Sequence, residues 1–91
     1  MLFVAVLKAR GSTPKERIAR RLEWKPPDGV RPVAEYWTQS ADVGVIYVFE
    51  ADSVAPIMAA TTAWGDVADI TVVPAVTAEE GLRLARQMLQ G

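Results

Sequence analysis

The chain has 91 residues, a formal net charge of −1, no cysteine and no histidine. Its length predicts one domain, residues 1–91. The missing cysteines exclude a disulfide framework and thiolate zinc sites, and the missing histidine removes the commonest general base. We therefore expect neither a metal site nor a bound cofactor.

The first predicted elements are a strand and a capped helix. Leu2 to Leu7 form an unbroken apolar run with no basic residue before it, which predicts a strand from Leu2 to Lys8 rather than an export signal. Residues 13–16 have the form of a capping box with proline at the first helical position, so a helix is predicted from Pro14 to Glu23. Its inward side is expected to carry Ile18, Ala19 and Leu22, with Lys15, Arg17, Arg20 and Arg21 facing mostly outward.

Two strands are predicted next, separated by a short polar connection. Residues 26–29, two prolines followed by Asp-Gly, end the helix and form a turn. One strand follows from Val30 to Thr38 and another from Val43 to Glu50. The connection 39–42 is short enough for a hairpin, but no Asn-Gly or Asp-Gly pair in it fixes the register, and a slip of one residue would reverse every side chain.

The last predicted elements are a helix, a strand and a second helix. A stripe of Val54, Ile57, Met58 and Thr61 predicts a helix that ends near Gly65, a residue suited to the C′ position. Alternation over 67–73 predicts an edge strand, which Pro74 is expected to end. A second capping box at 77–80 predicts a final helix, whose apolar stripe consists of Ala78, Leu82, Ala85 and Leu89, widened by Leu84 and Met88.

The order of elements predicts an α+β fold, a ferredoxin-like βαββαβ antiparallel sheet followed by a C-terminal helix. This topology puts the first and third strands at the centre. These are the strands with unbroken apolar runs, which indicate burial on both faces. Because the first two helices cover only one face, we expect a second copy of the chain to cover the other, with the last helix either covering part of that face or packing across the partner. The residues expected on that face are Met1, Phe3, Ala5, Leu7, Val43, Val45, Tyr47 and Phe49.

Charge and hydropathy bear on location and partners. No apolar run approaches the roughly 18 to 20 residues that a membrane-spanning helix needs, so a cytoplasmic protein is expected. Residues 1–31 carry eight basic and three acidic residues, whereas residues 32–91 carry two basic and eight acidic residues. Such asymmetry occurs in polyanion-binding proteins but more often reflects complementary solvated surface.

Four segments carry a resemblance to a known family: LFVAVLKA, LEWKPPDGVRPVAEYWTQS, AWGD and VVPAVTAEEGL. Over nearly the whole chain they resemble short proteins catalogued only as a domain of unknown function, and EYW and WGD are the most specific motifs. The fold implied by the resemblance is the dimeric α+β barrel, in which ferredoxin-like protomers pair sheet to sheet. That wider group includes cofactor-independent monooxygenases, muconolactone-isomerase-like enzymes and small ligand-binding proteins. Several of these chemistries rely on histidine or asparagine, which this chain lacks.

Candidate site residues cluster on the second strand, beside the strand that carries Tyr47. If they share a face, Glu35 with a raised pKa could remove a proton while Trp37 and Tyr47 stack on a planar substrate. A solvated Glu35 beside a core tryptophan is the competing interpretation. Asp69 is the second candidate base and Trp64 a further candidate ligand-binding residue. With Asp66, Asp69 makes only two carboxylates, too few oxygen ligands to predict a cation site.

The sequence thus predicts a cytoplasmic homodimer whose protomers each hold a pocket for a small organic molecule, with catalysis left open. The enzymatic alternative is a cofactor-independent isomerase or a monooxygenase-like enzyme. The non-enzymatic alternative is a protein-interaction module, or an RNA-recognition-like module with Phe3 and Tyr47 as stacking residues. A net charge of −1 and a pI near 5.3 disfavour nucleic acid as a partner.

Overall fold

The protein has a four-stranded antiparallel sheet and three helices. The computed structural model describes residues 1–40 and 42–90. The strand order across the sheet is β2-β3-β1-β4, so the predicted ferredoxin-like topology and the central pair of strands are confirmed. In chain order the elements are β1 (Leu2–Ala9), α1 (Pro14–Glu23), β2 (Arg31–Trp37), β3 (Val45–Glu50), α2 (Val54–Trp64), β4 (Ala68–Ala75) and α3 (Ala78–Gln90).

The helix ends follow from local hydrogen bonds. At α1 the capping box is complete: the Glu16 amide donates to Thr13 Oγ1 at 3.1 Å, and the Thr13 amide donates to Glu16 Oε2 at 3.4 Å. At α3 only half of the predicted box forms. The Glu80 amide donates to Thr77 Oγ1 at 3.1 Å, but the Glu80 carboxylate accepts from Arg83 instead of returning to the cap.

Of two predicted chain breaks, one is confirmed and one was wrong. Helix α2 ends at Trp64 with Gly65 as its C-cap, as predicted, although Gly65 has φ −64°, a right-handed conformation that needs no glycine. Pro74 does not end β4, which continues to Ala75, and it pairs in register with Phe3 of β1. Proline is tolerated there because β4 is an edge strand, so a missing amide donor on its outer side costs no ladder hydrogen bond.

The helix-covered face of the sheet carries the core. Ala5 and Phe49 are buried in one cluster with Ile57 of α2, and Phe3, Leu7 and Tyr47 pack against that cluster. These strand residues were predicted on the opposite, uncovered face, so the predicted parity was wrong. The physical reason is that an unbroken apolar run has no polar alternation from which the inward side can be read.

The other side of the sheet, here called the open face, is mostly aliphatic at its centre. Val4 lies opposite Val48 of β3 and Val73 of β4, and directly opposed residues on neighbouring strands share a face. By the same register the open face includes Leu2, Val6, Ile46 and Tyr36. Val73 is 45% exposed and Tyr36 61% exposed.

Helix α3 does not bury its own apolar stripe. Leu82 is 59% exposed, Met88 74% and Leu89 89%. The Cα radius of gyration is 15.2 Å, whereas a compact chain of this length would have about 12 Å. The chain is therefore extended, with apolar surface left on α3 as well as on the open face.

Candidate functional site

A cavity of about 440 Å³ lies between the helix-covered face of the sheet and helices α1 and α2. Ligand sites in proteins typically measure about 300 to 1,000 Å³. Strands supply Tyr47 and Phe49 to its wall, and α2 supplies Ile57 and Trp64. Helix α1 supplies few apolar groups to the wall: Ile18 lines the cavity, but Leu22, predicted to face inward, is 79% exposed.

Aromatic rings form a continuous cluster along this cavity. Trp24 meets Tyr47 edge to face at 6.2 Å between ring centroids, and meets Trp64 in the same way at 5.9 Å. Tyr47 in turn lies 5.7 Å from Phe49. Edge-to-face contacts are a preferred arrangement of aromatic pairs, and these rings form flat parts of the cavity wall.

The polar feature of the cavity wall is an ion pair between α1 and β2. Arg21 Nη2 lies 2.9 Å from Glu35 Oε1, and Arg21 Nε donates to Glu35 Oε2 at 3.0 Å. The side chains are 34% and 20% exposed, so the pair is only partly open to water. The Arg21 guanidinium also lies 5.4 Å from the centroid of the Trp24 ring. Arg21 was predicted to face mostly outward, and this contact with Glu35 turns it toward the sheet.

This ion pair sets the protonation of Glu35. The pKa of Glu35 is lowered, chiefly by the hydrogen bonds from Arg21, against an opposing effect of burial and with help from the indole of Trp37. Trp37 Nε1 donates to Glu35 Oε2 at 2.6 Å. The expected raised pKa is therefore wrong in direction. Glu35 is a carboxylate at neutral pH with both oxygens engaged, which makes it a weak proton acceptor.

The register that the turn sequence left open is settled by the β2–β3 ladder. Glu35 lies opposite Tyr47, and Trp37 lies opposite Val45. All four line the cavity, as does Trp64. Of the predicted connection 39–42, residue 41 lies outside the described residues, while Thr38 closes the hairpin by donating from its backbone amide to the Gly44 carbonyl at 2.9 Å.

Tyr47 brings an unsatisfied hydroxyl to the cavity. Its oxygen is buried and has no hydrogen-bond partner within residues 1–40 and 42–90. The pKa of Tyr47 is raised, first by burial and then by the nearby negative charge of Glu35, while Arg21 opposes the effect. The hydroxyl is thus protonated at neutral pH and able to donate.

Asp69 is separated from these residues by the sheet. It lies opposite Lys8, on the strand positions that face away from α1 and α2, and its carboxylate is 3.2 Å from Arg10 Nε. Asp66, the other carboxylate of that segment, accepts from Arg20 Nη2 at 2.9 Å. No group of three or more candidate metal ligands occurs in the described part of the chain.

Arg21, which lines the cavity, was not singled out by sequence reasoning as a site residue. Arg17, Arg21 and Trp24 recur at intervals of four and three residues, which is the spacing of one helical face. That face was interpreted as solvated because of its charge. The missing signal was the acidic Glu35 on the strand beneath it, which only the fold brings close.

The ring pair proposed for an RNA-recognition-like surface lies on the covered face. Phe3 stacks on Phe49 at 5.6 Å and packs with Tyr47 against the core. A base-stacking platform requires such rings on a face open to the nucleic acid. The open face presents aliphatic side chains instead.

The uneven charge distribution corresponds to ion pairs within the protomer. Each of five basic residues in the first third of the chain contacts an acidic residue in the remainder: Lys8 with Asp42, Arg10 with Asp69, Arg20 with Asp66, Arg21 with Glu35, and Arg31 with Glu50 and Asp52. For these five residues the asymmetry reflects complementary surface within the chain.

Comparison with known proteins identifies the family. Residues 1–89 match the family described as Domain of unknown function (DUF3303). The chain belongs to this family. No curated protein and no solved structure matches the chain. This membership agrees with the resemblance inferred from the four sequence segments. The family description names no activity. Among the described residues no helix has both the length and the apolar character to cross a bilayer.

Proposed function

We propose that this DUF3303 protein binds a small organic molecule in the cavity between its sheet and helices α1 and α2. The observation that supports this most directly is the cavity itself: about 440 Å³, with three aromatic rings, Trp24, Tyr47 and Trp64, held edge to face along its wall. Binding sites are typically concave and mostly apolar, with a few polar groups for orientation. Arg21, Glu35 and the Tyr47 hydroxyl supply those polar groups.

Replacing each of two neighbouring alanines of α2 by phenylalanine tests the binding site. Ala60 lines the cavity, whereas Ala59, the preceding residue of α2, is exposed. Filling the cavity with Ala60→Phe should abolish binding of a planar apolar probe such as isopropenylnaphthalene, followed by tryptophan fluorescence, while Ala59→Phe should bind it as the wild type does. Equal binding by both variants, or none by the wild type, would contradict the proposal.

We propose further that the protein is a homodimer in which a second copy covers the open face and contacts α3. Support comes from exposed apolar groups on both surfaces, Tyr36 and Val73 on the sheet and Leu82 and Leu89 on the helix. The protomer has 6457 Å² of accessible surface, whereas a compact protein of its mass would have about 5,200 Å². This excess exceeds the roughly 800 Å² that each partner buries in a typical stable interface.

The dimer is tested by light scattering on the full chain over a range of concentrations. A mass twice that of the 9.9 kDa chain at micromolar concentration is expected. A protomer-sized mass that persists at high micromolar concentration would contradict the dimer. The cytoplasmic location remains a prediction from the sequence.

Catalysis by Glu35 receives no support from its contacts. A general base is most effective when its pKa lies near the working pH, and the pKa of Glu35 is lowered by Arg21. The isomerase and monooxygenase-like alternatives therefore rest on the wider family resemblance alone. Binding without chemistry at Glu35 is the function that the cavity supports best.

A further inference from the structure

The unpaired hydroxyl of Tyr47 constrains what the cavity can bind. Among the described residues, the Tyr47 oxygen is a buried side-chain atom with no hydrogen-bond partner. Native proteins pair nearly all such atoms with protein, water or ligand groups, because an unpaired buried hydroxyl is unfavourable. Since Tyr47 lines the cavity, a bound molecule can supply the partner.

The hydroxyl is protonated and can donate a hydrogen bond. Burial and the neighbouring Glu35 carboxylate both favour the protonated phenol. Glu35 itself is occupied by Arg21 and Trp37, so it does not take this proton donor in the structure. A ligand oxygen acceptor, such as a carbonyl, at this point of the wall would pair with the hydroxyl.

The charges on the same wall disfavour a ligand cation, and at Tyr47 they also disfavour a ligand carboxylate. Arg21 and Glu35 neutralise each other through hydrogen bonds donated from Nε and Nη2. A ligand carboxylate hydrogen-bonded to Tyr47 would lie beside the Glu35 carboxylate, whose effect on the Tyr47 pKa exceeds the opposing effect of Arg21. A ligand cation in the cavity would face Arg21 and the neighbouring Arg17. Like charges in a partly desolvated site are costly.

The shape of the wall selects a flat molecule. Trp24 stands edge to face against both Tyr47 and Trp64, at interplanar angles of 72° and 77°. Aromatic groups interact best through offset stacking or edge-to-face contacts, which a planar ligand ring can complete. The volume of about 440 Å³ leaves room for a molecule of two fused rings.

From these observations we infer that the cavity binds an uncharged planar molecule whose carbonyl oxygen accepts a hydrogen bond from the Tyr47 hydroxyl. This ligand class rests on the proposed function, since it specifies the occupant of the same cavity. It adds a requirement that the cavity alone does not impose, namely one oxygen acceptor and no charge.

Three naphthalene probes separate these requirements. Acetylnaphthalene carries the carbonyl, isopropenylnaphthalene replaces the carbonyl oxygen with carbon at nearly the same shape, and naphthoate carries a negative charge. Dissociation constants are measured by isothermal titration calorimetry for the wild type, for Tyr47→Phe, and for Tyr36→Phe as a matched control. Tyr36 lies on the open face, on the far side of the sheet from the cavity.

Tyr47→Phe should weaken the binding of acetylnaphthalene about fivefold, the typical effect of one hydrogen bond. It should change the dissociation constant of isopropenylnaphthalene by no more than about twofold. Tyr36→Phe should change neither. Wild-type protein should bind naphthoate more weakly than acetylnaphthalene. Thermal unfolding of each variant shows whether the protein is folded, and comparing the two probes within one variant cancels any general loosening of the cavity.

Three results would overturn the inference. Equal effects of Tyr47→Phe on the two uncharged probes would mean that water rather than the ligand satisfies the hydroxyl. Tighter binding of naphthoate than of acetylnaphthalene would assign the cavity to anions. If the uncharged probes bind and Ala60→Phe blocks them, the proposed function stands even when the carbonyl preference fails. If no probe binds, both proposals fail together.

Discussion

The two faces of the sheet are both apolar, yet they differ in what apolar groups they carry and in what covers them. The helix-covered face brings rings together, Tyr47 and Phe49 with Trp24 and Trp64 beside them, around a cavity with an ion pair in its wall. The open face carries aliphatic side chains such as Val4 and Val48. In the described part of the chain, the apolar stripe of α3 is exposed rather than buried against this face. Aromatic rings with a few polar groups suit recognition of a small molecule, whereas an exposed, mostly aliphatic patch suits a protein partner.

The sharpest way to break this comparison is to place a charge on the open face. Val4→Asp puts a carboxylate at the centre of the sheet, where the proposed dimer would bury it without a partner. We expect the dimer to weaken by more than about a hundredfold, because an unpaired buried charge costs about 3 kcal/mol or more. Analytical ultracentrifugation measures the dissociation constant.

A second variant and a control keep that test independent of folding. Tyr36 is 61% exposed in the protomer, so Tyr36→Asp should fold normally and still weaken the dimer. Thr62→Asp, at an exposed position of α2, should leave the dimer unchanged. If Val4→Asp and Tyr36→Asp assemble as the wild type does, the open face is not the interface.

The tryptophans of the covered face should differ in their contribution to stability. Trp24 is half-buried among Tyr47, Trp64 and Arg21, whereas Trp37 is 56% exposed. Trp24→Ala should lower the free energy of unfolding by about 2 to 3 kcal/mol, less than for a fully buried ring, and Trp37→Ala by less than about 1 kcal/mol. Urea titrations followed by circular dichroism measure both losses. A larger loss of unfolding free energy for Trp37→Ala than for Trp24→Ala would contradict the placement of Trp24 at the centre of the cluster.

The ion pair of the covered face predicts a pH dependence of stability. Because the folded pKa of Glu35 is lowered, its stabilising effect is present above the unfolded pKa and is lost as the pH decreases through the folded pKa. Glu35→Gln should cost about 1 kcal/mol at pH 7, after allowance for partial exposure of the pair. The difference from the wild type should shrink steadily below about pH 4.

Urea titrations at several pH values measure this difference. Glu23→Gln, at an exposed position at the end of α1, is the matched control and should show no such trend. A difference between Glu35→Gln and the wild type that stays constant down to acid pH would contradict the assignment of the effect to the Arg21–Glu35 pair.

The smallest expected difference concerns the two N-caps. Thr13 caps α1, which encloses the cavity, and Thr77 caps α3, whose apolar stripe is exposed in the protomer. Thr13→Ala should lower the free energy of unfolding by about 0.5 to 1 kcal/mol, and Thr77→Ala by only a few tenths when measured at concentrations where the protomer predominates. Equal losses would indicate that α3 is packed in the isolated protomer.

Local chemistry explains why much of the fold could be predicted. Thr13, Pro14 and Glu16 specify the start of α1 through bonds between residues three apart, and the structure begins that helix at Pro14. Long apolar runs marked the central strands correctly. Pro74 was misjudged because its effect depends on which neighbour lies on each side of β4, and that is a property of the sheet rather than of the strand.

The site was predicted only in part, for a related reason. Glu35, Trp37, Tyr47 and Trp64 were named from the sequence, and all four line the cavity. Arg21 was missed as the partner of Glu35 because the two are 14 positions apart and on different elements. That contact reversed the expected direction of the Glu35 pKa.

The sequence by itself determined the helices, the strands, their order and the apolar character of the central pair, because these depend on contacts between near neighbours and on hydrophobic periodicity. Tertiary structure alone decided which side of β1 and β3 faces the helices, which ring edges meet, and which charge lies beside Glu35. A strand that is apolar on both sides is compatible with either orientation. Only its packing against α1 and α2 separates a face that encloses a cavity from a face left for a partner.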